Sequence, residues 1–300
     1  MGWQLHHGDC LTILQTLPAE SVNLIFADPP YNIGKAVWDK IPNYLNWCEK
    51  WIAACSRVLK RNGAFWVSHS EPRILTDLSR MIEQHGRGLV NWVTWDKYNG
   101  NPTKQAMGGP MVGLTMQGGL RSWQDMAEYL IYHGSDLHAE TVCAVREKAT
   151  RAELACLCGC DSRLVQFWED GERLIQQSVY ALLDANYGPL PPYSEIRRTF
   201  NNPGKVSSVW QFDPAPRNGH PTPKPEPLLE RIILTCTNAG DTVLDPFAGS
   251  GTTLAAAEKL GRESIGVEMD AGYCELIRRR MVTVQPDLFA ASGEPPKRRA

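Results

Sequence analysis

The chain has 300 residues, of which 43% are hydrophobic and 21% are charged, and its formal net charge at pH 7 is −2. This near-neutral balance excludes a strongly basic or strongly acidic protein, although a local basic patch would still bind nucleic acid. Neither a signal peptide nor a long apolar span is predicted, and the nine cysteines lack the spacing of a disulfide framework or a structural metal site. We therefore expect a cytoplasmic protein with reduced thiols and no bound metal.

The first hundred residues alternate between strand and helix patterns. The apolar run 22–27 predicts a strand covered on both faces, and two prolines predict that the chain leaves the sheet at Asp28. A helix is predicted over 44–63, ended by Gly63, and is followed by a strand at 64–69, a helix at 73–86 and a strand at 89–95. This alternation predicts an α/β fold with a doubly wound, mostly parallel sheet.

The second half contains an interruption. Gly, Met, Pro and Thr predict a long loop over about 96–121, and 127–134 is predicted as a strand, whereas the polar stretch 136–202 is predicted to be a helical insert. The alternation resumes with predicted elements at 207–212 (strand), 225–237 (helix), 241–245 (strand), 252–260 (helix), 264–268 (strand) and 270–281 (helix). One domain formed by 1–135 and 203–282 is therefore expected, with a disordered tail at 283–300.

Two turns carry chemistry. DPPY, residues 28–31, places an acid, a rigid backbone and an aromatic ring at a strand's carboxyl end, where open α/β sheets bind ligands. DPFAGSGTT, residues 245–253, has Gly249 and Gly251 for close backbone approach, then a helix N-terminus with free N–H groups. Glu268 ends a strand about twenty residues later, the spacing at which nucleotide-binding folds place an acid for ribose hydroxyls. An ordinary tight turn is the alternative for the glycine pair alone.

With both motifs in one chain, the sequence resembles the amino-group DNA methyltransferases, which move a methyl group from S-adenosylmethionine to adenine N6 or cytosine N4. HPTPKP (220–225) resembles the family's cofactor-side motif, and HHGDCLTIL (6–14) resembles the segment that places an acid near the cofactor adenine. The order, with the catalytic motif first and the cofactor motif last, is that of the β class. The resemblance covers about 4–135 and 203–282.

The resemblance implies S-adenosylmethionine as cofactor. Asp9 would lie by its adenine, Glu268 would take its ribose hydroxyls, and Phe247, Gly249 and Gly251 would line its methionine end. The remaining residues assigned to the cofactor on this basis are Cys10, Asp28, His220, Thr222, Lys224, Asp245, Pro246, Ala248, Ser250, Thr252 and Met269.

The resemblance also implies catalytic roles for Asp28, Pro29, Pro30 and Tyr31. Asp28 and the Pro29 carbonyl would accept hydrogen bonds from the target amino group, which stabilises the developing positive charge, while Tyr31 stacks on the base. Because the amino group is unreachable inside a duplex, base flipping is expected. In the family that the sequence resembles, an aspartate at the first position of this motif favours adenine as the target, whereas a serine favours cytosine. Cytosine-N4 transfer remains an alternative, as does a non-catalytic DNA-binding regulator on the same fold.

The insert contains a second resemblance. Residues 150–173 resemble a repressor-type helix-turn-helix, which implies that Ser162, Arg163 and Gln166 face the bases of double-stranded DNA. Phosphate contacts are expected from Arg197, Arg198 and Lys205. A helical pair that only packs over the domain is the alternative. The β-class resemblance is compatible with a homodimer and a cognate restriction nuclease, and with a bacterial or phage-type enzyme.

Overall fold

The computed structural model describes residues 2–34, 39–97, 127–135, 137–170, 173, 175–197, 199–201, 207–216 and 219–284. In these parts of the chain the strands are β1 (Trp3–His7), β2 (Val22–Ala27), β3 (Leu59–His69), β4 (Gly88–Asp96), β5 (Ala127–Gly134), β6 (Val209–Gln211), β7 (Thr242–Asp245) and β8 (Glu263–Glu268). The helices are α1 (Cys10–Thr16), α2 (Tyr44–Val58), α3 (Pro72–Glu83), α4 (Leu137–Arg146), α5 (Arg151–Cys158), α6 (Ser162–Glu169), α7 (Gln177–Tyr187), α8 (Tyr193–Ile196), α9 (Glu226–Cys236), α10 (Thr252–Lys259) and α11 (Ala271–Thr283).

The strands form one sheet in the order β1-β8-β7-β2-β3-β5-β4-β6. Strand β5 is antiparallel to its neighbours β3 and β4, and the other neighbouring pairs among the described strands are parallel. The carboxyl ends of the parallel strands and the amino end of β5 therefore lie at the same edge of the sheet.

Both faces of the sheet are covered by helices, as the apolar run 22–27 predicts. Successive side chains of a strand point to opposite faces. In β2, Ile25 and Ala27 belong to a buried cluster that includes α1, α2 and α3, whereas Leu24 and Phe26 belong to a second cluster that includes α9 and α10. The predicted doubly wound, mostly parallel α/β sheet is confirmed.

The prediction that Gly63 ends the helix at 44–63 is wrong. Helix α2 ends at Val58, β3 begins at Leu59, and Gly63 lies inside that strand. A Cβ at position 63 would lie 2.5 Å from Leu59 Cδ1 and 2.9 Å from the backbone oxygen of Asn23, so the glycine permits close approach of two strands. Sequence reasoning also missed β1, a five-residue edge strand whose parallel partner β8 lies at the other end of the chain.

The insert has a hydrophobic cluster of its own. The cluster consists of residues from 137–196 and includes the fully buried Val165 and the buried Leu154 and Trp168. Glu169, at the end of α6, forms an ion pair with Arg151 at 2.5 Å. The helical character predicted for this stretch agrees with α4 to α8. The division of the chain into catalytic domain and recognition insert stays a prediction.

Several predictions fall outside the described residues, namely most of the loop at 96–121, the tail from residue 285 onward, and the phosphate contacts of Arg198 and Lys205. Of the helices in the described part of the chain, none has the length and apolarity needed to cross a membrane.

Candidate active site

Four acids lie along the carboxyl edge of the sheet because four neighbouring parallel strands end there. Asp9 follows β1, Glu268 ends β8, Asp245 ends β7 and Asp28 follows β2. A cavity of about 340 Å³ opens at this edge and is lined by all four. Its volume lies in the range of small-molecule sites.

The cavity joins the two motifs that the sequence singles out. Its lining includes the predicted catalytic residues Asp28, Pro29, Pro30 and Tyr31. It also includes every residue assigned to the cofactor by the resemblance except Gly251, namely Asp9, Cys10, Asp28, His220, Thr222, Lys224, Asp245, Pro246, Phe247, Ala248, Gly249, Ser250, Thr252, Glu268 and Met269. Residues from both ends of the chain therefore share one site, although their individual roles stay predictions.

Asp245 holds the glycine-rich turn by hydrogen bonds to residues on both sides of it. Its carboxylate accepts hydrogen bonds from the Phe247 backbone N–H at 2.9 Å and from the Thr253 hydroxyl at 2.5 Å. Burial raises the pKa of this carboxyl to about 7, although the two donors lower it. The buried carboxyl group therefore anchors the turn through these two hydrogen bonds.

Gly249 sits where a side chain would obstruct the site. Its backbone φ is +51°, and a Cβ there would lie 3.1 Å from His220 Nε2. Its N–H donates to Glu268 Oε2 at 2.8 Å, and the Asp270 N–H donates to Glu268 Oε1 at 2.8 Å. Gly251 packs instead against α11, since a Cβ there would lie 3.0 Å from Ile277 Cγ1. The turn thus presents backbone to the cavity and holds Glu268 in a fixed orientation.

Arg280, a residue that sequence reasoning did not assign to the site, braces the same turn from α11. Its Nη1 group donates to the Ser250 carbonyl at 3.3 Å and to Thr252 Oγ1 at 3.1 Å, and its Nη2 group donates to Glu226 Oε2 at 3.0 Å. Glu226 directly follows the HPTPKP segment. Arg280 therefore connects two of the segments that form the cavity.

The catalytic motif is rigidly held. The Tyr44 hydroxyl donates to the Pro30 carbonyl at 2.6 Å, and the Asn32 and Ile33 N–H groups donate to the two oxygens of the buried Asp39 at 2.6 and 3.1 Å. These contacts hold the backbone that follows β2 in one conformation.

Both carboxylate oxygens of Asp28 have partners. The Tyr31 hydroxyl donates to Oδ1 at 2.8 Å, and Lys224 Nζ lies 2.5 Å from Oδ2. The Lys224 side chain is only 8% exposed. Burial lowers its pKa, but the Coulombic effects of Asp28 and Glu128 outweigh burial and raise it, so Lys224 stays charged. Its ammonium group thus lies at the catalytic motif, while its predicted contact with the cofactor stays a prediction.

Glu128 is a cavity residue that sequence reasoning missed. It lies at the amino end of β5, which the antiparallel direction of this strand brings to the carboxyl edge of the sheet. Its carboxylate lies 3.2 Å from Lys224 Nζ and 2.5 Å from Lys97 Nζ. Burial raises its pKa, but Lys224 and Lys97 outweigh that effect and lower it to about 2. The sequence signal that could have identified Glu128 is a charged residue within the largely apolar stretch 127–134, because a buried charge requires a partner.

Tyr31 has a neutral phenol. Burial, together with the neighbouring carboxylates of Asp28 and Glu128, raises its pKa well above the usual value. Its ring lies 4.5 Å from that of His69, centroid to centroid, and its hydroxyl lies 3.0 Å from Ser68 Oγ.

Known proteins place this site in context. A model of the DNA methylase family matches residues 22–279. The DNA adenine methyltransferase YhdJ of Escherichia coli (strain K12) is 33% identical over 291 residues, which cover 92% of this chain and 81% of that protein. The chain belongs to the DNA methylase family.

Solved structures share the methylase fold. The M1.HpyAVI–SAM complex has a TM-score of 0.57 and 20% identity, with 93% of this chain and 98% of that chain covered. The cytosine-N4-specific PvuII DNA methyltransferase has a TM-score of 0.58 and 18% identity, with 98% and 94% covered. These structures confirm the predicted fold of the methylase, and the match to the family model confirms its predicted family.

The predicted DNA-reading residues of the methylase lie on one exposed helix face. Ser162, Arg163 and Gln166 are exposed on α6, which begins with the Arg163 N–H donating to Asp161 Oδ1 at 2.6 Å. Arg197 is exposed at the end of the insert. Whether these residues contact bases stays a prediction.

Proposed function

We propose that this methylase transfers a methyl group from S-adenosylmethionine to N6 of adenine in double-stranded DNA. The observation that carries the proposal is that Asp28 and Tyr31 line the same cavity as Gly249 and Glu268. On this proposal, the donor bound at the glycine-rich turn and the acceptor held by the catalytic motif share this one cavity, and the methyl group passes directly between them. The 33% identity to a protein named as a DNA adenine methyltransferase supports adenine as the target.

The residues present fit S-adenosylmethionine. The cavity has the volume of a ligand site, its turn presents backbone at Gly249 where a Cβ would crowd His220, and the Glu268 carboxylate faces it. Oriented carboxylates suit ribose hydroxyls, and short turns suit close approach of a ligand. When bound, S-adenosylmethionine supplies an electrophilic methyl group on a sulfonium.

The catalytic motif addresses the weakness of the nucleophile. The lone pair of an exocyclic amine is conjugated with the ring, so the amine attacks poorly. Asp28 and the Pro29 carbonyl would accept its two hydrogens and stabilise the positive charge that develops on nitrogen. The rigid backbone around Pro30 maintains the position of these acceptors.

Base flipping completes the proposal. Moving a base out of the duplex costs a few kcal/mol of stacking and pairing free energy, and stacking of that base on an aromatic ring offsets about 1–3 kcal/mol of this cost. The neutral Tyr31 ring would supply that surface. On this proposal α5 and α6 act as a helix-turn-helix that directs the methylase to its sequence, with Arg163 and Gln166 facing the bases. A homodimer and a partner nuclease stay predictions of the family resemblance.

Base-resolved mapping tests the function. The methylase and an Asp28→Ala variant are expressed in a bacterial host that lacks DNA methyltransferases, and the DNA is analysed by long-read sequencing and nucleoside mass spectrometry. We expect N6-methyladenine in one sequence motif with the wild type. With the variant we expect no modified base, and we expect calorimetry to show that it still binds S-adenosylmethionine.

Other outcomes assign the alternatives. N4-methylcytosine would make the protein a cytosine enzyme. Binding of S-adenosylmethionine by the wild type without any modified base would favour a non-catalytic DNA-binding regulator.

A further inference from the structure

The carboxylate proposed to bind the target amino group has a protein partner at each of its two oxygens. Tyr31 donates its hydroxyl to Asp28 Oδ1 at 2.8 Å, and Lys224 Nζ lies 2.5 Å from Oδ2. For Asp28 to accept a hydrogen from the target amine, at least one of these two partners has to turn away. A buried ammonium group that loses its carboxylate partner is left with an uncompensated desolvation cost, so Lys224 requires another acceptor.

Glu128 is positioned to be that acceptor. Its Oε2 lies 3.2 Å from Lys224 Nζ and 3.2 Å from the Tyr31 hydroxyl oxygen, whose single proton can be donated to either Asp28 or Glu128. Both groups that occupy Asp28 therefore already contact Glu128, and each can shift toward it by a small rotation. Lys97 holds the other oxygen, Oε1, at 2.5 Å, which fixes the Glu128 carboxylate in place.

The group of ions is balanced in charge. Two carboxylates, Asp28 and Glu128, meet two ammonium groups, Lys224 and Lys97, and their side chains are between 8% and 21% exposed. Removing one carboxylate leaves a net positive charge beside the cavity, and removing one ammonium group leaves a net negative charge. Such charges have large effects in a poorly solvated site.

We propose that Glu128 is a positioning residue of the transfer reaction, which holds the Lys224 ammonium while the Asp28 carboxylate binds the target amino group. The inference rests on the proposed function. No covalent bond changes in this step: Lys224 remains protonated and exchanges one carboxylate partner for the other. Glu128 acts on the base through its partners Lys224 and Tyr31 and, through them, Asp28.

The test uses four proteins: the wild type, Glu128→Gln, Lys224→Met and the double variant. The first readout is the single-turnover rate of methyl incorporation into plasmid DNA from a methylation-deficient host. We expect Glu128→Gln to lower the rate about 100-fold, because Lys224 then stays on Asp28. Adding Lys224→Met to the Glu128→Gln variant is expected to raise the single-turnover rate again by at least about tenfold, because the second substitution removes the ammonium group that blocks Asp28.

The second readout needs no turnover. Calorimetry measures the Kd of S-adenosylmethionine and of its uncharged product, S-adenosylhomocysteine, for each protein. The affinity for S-adenosylmethionine divided by the affinity for S-adenosylhomocysteine measures how well the site accepts the positive charge of the sulfonium. This ratio is expected to fall about tenfold in Glu128→Gln, to rise about tenfold in Lys224→Met, and to return to near the wild-type value in the double variant. This order follows the net charge of the four ions.

Glu230→Gln is the matched control, because Glu230 forms a similar ion pair, 2.5 Å from Lys259 Nζ, outside the cavity lining. It is expected to change neither readout. Thermal melting is used to test whether each variant is folded. If Glu128→Gln does not fold, the affinity ratios of Lys224→Met and the double variant still test the charge order.

A double variant slower than Glu128→Gln, or a ratio that is the same in all four proteins, would overturn the inference while leaving the proposed function intact. A wild type that binds no S-adenosylmethionine and labels no DNA would overturn the proposed function itself.

Discussion

Replacing Asp245 by asparagine is predicted to stabilise the fold at neutral pH. This carboxyl group is 3% exposed at the end of β7, and burial raises its pKa from 3.8 to about 7. Asparagine has the same shape. Its side-chain oxygen can accept from the Phe247 N–H, and its amide can donate to the Thr253 hydroxyl, so both hydrogen-bonding positions of the native structure remain satisfied.

The magnitude and sign follow from linkage. Below about pH 4, Asp245 carries its proton in both the folded and the unfolded states, so its ionisation does not change the free energy of unfolding. Between about pH 4 and 7 the unfolded chain ionises while the folded protein keeps the proton, so the wild type loses stability as the pH rises. Above about pH 7 the loss is complete. A rise from 3.8 to about 7 corresponds to about 4 kcal/mol, at about 1.4 kcal/mol per pH unit.

Guanidinium unfolding of both proteins between about pH 4 and pH 8 measures this effect, with ΔG taken from linear extrapolation. The other titrating groups are common to both proteins and cancel in the difference. We expect the stability of Asp245→Asn relative to the wild type to increase by a few kcal/mol over this range. A difference that stays constant within about 1 kcal/mol would refute the reasoning, because it would mean that Asp245 ionises in the folded state as it does in water.

Three further predictions concern the cofactor side of the cavity and the insert. Arg280→Ala is expected to raise the KM for S-adenosylmethionine about tenfold because the glycine-rich turn loses its brace; Arg279→Ala, with a side chain 77% exposed on the same helix, is the control, and equal effects would contradict the brace. Gly249→Ala is expected to weaken S-adenosylmethionine binding about tenfold in calorimetry, since the new methyl meets His220 and a φ of +51° disfavours an L-residue; an unchanged Kd contradicts this. Arg163→Ala is expected to relax the methylated motif in long-read maps, and an unaltered motif would make α6 a packing element only.

Local sequence signals predicted much of the fold. The apolar run 22–27 became the buried strand β2 with the same bounds, and the stretch 127–134 became β5. In both, β-branched and aromatic residues between turn signals suffice to indicate a strand. The boundary at Gly63 was wrong because a glycine that ends a helix and a glycine that lets two strands approach have the same local pattern. The distinction depends on Asn23, a residue of the neighbouring strand.

The sequence by itself determined which motifs form the site, because an acid directly after a buried strand and before two prolines has to stand at the edge of the sheet. Only the tertiary structure decided what surrounds Asp28. Lys97 directly follows β4, Glu128 lies at the start of β5, and Lys224 lies in the segment before α9. Neither spacing nor periodicity marks Lys97 or Glu128, and the family resemblance assigns Lys224 to the cofactor rather than to Asp28. They meet because β5 runs against its neighbours, and their charges become decisive because burial removes the water that would otherwise screen them.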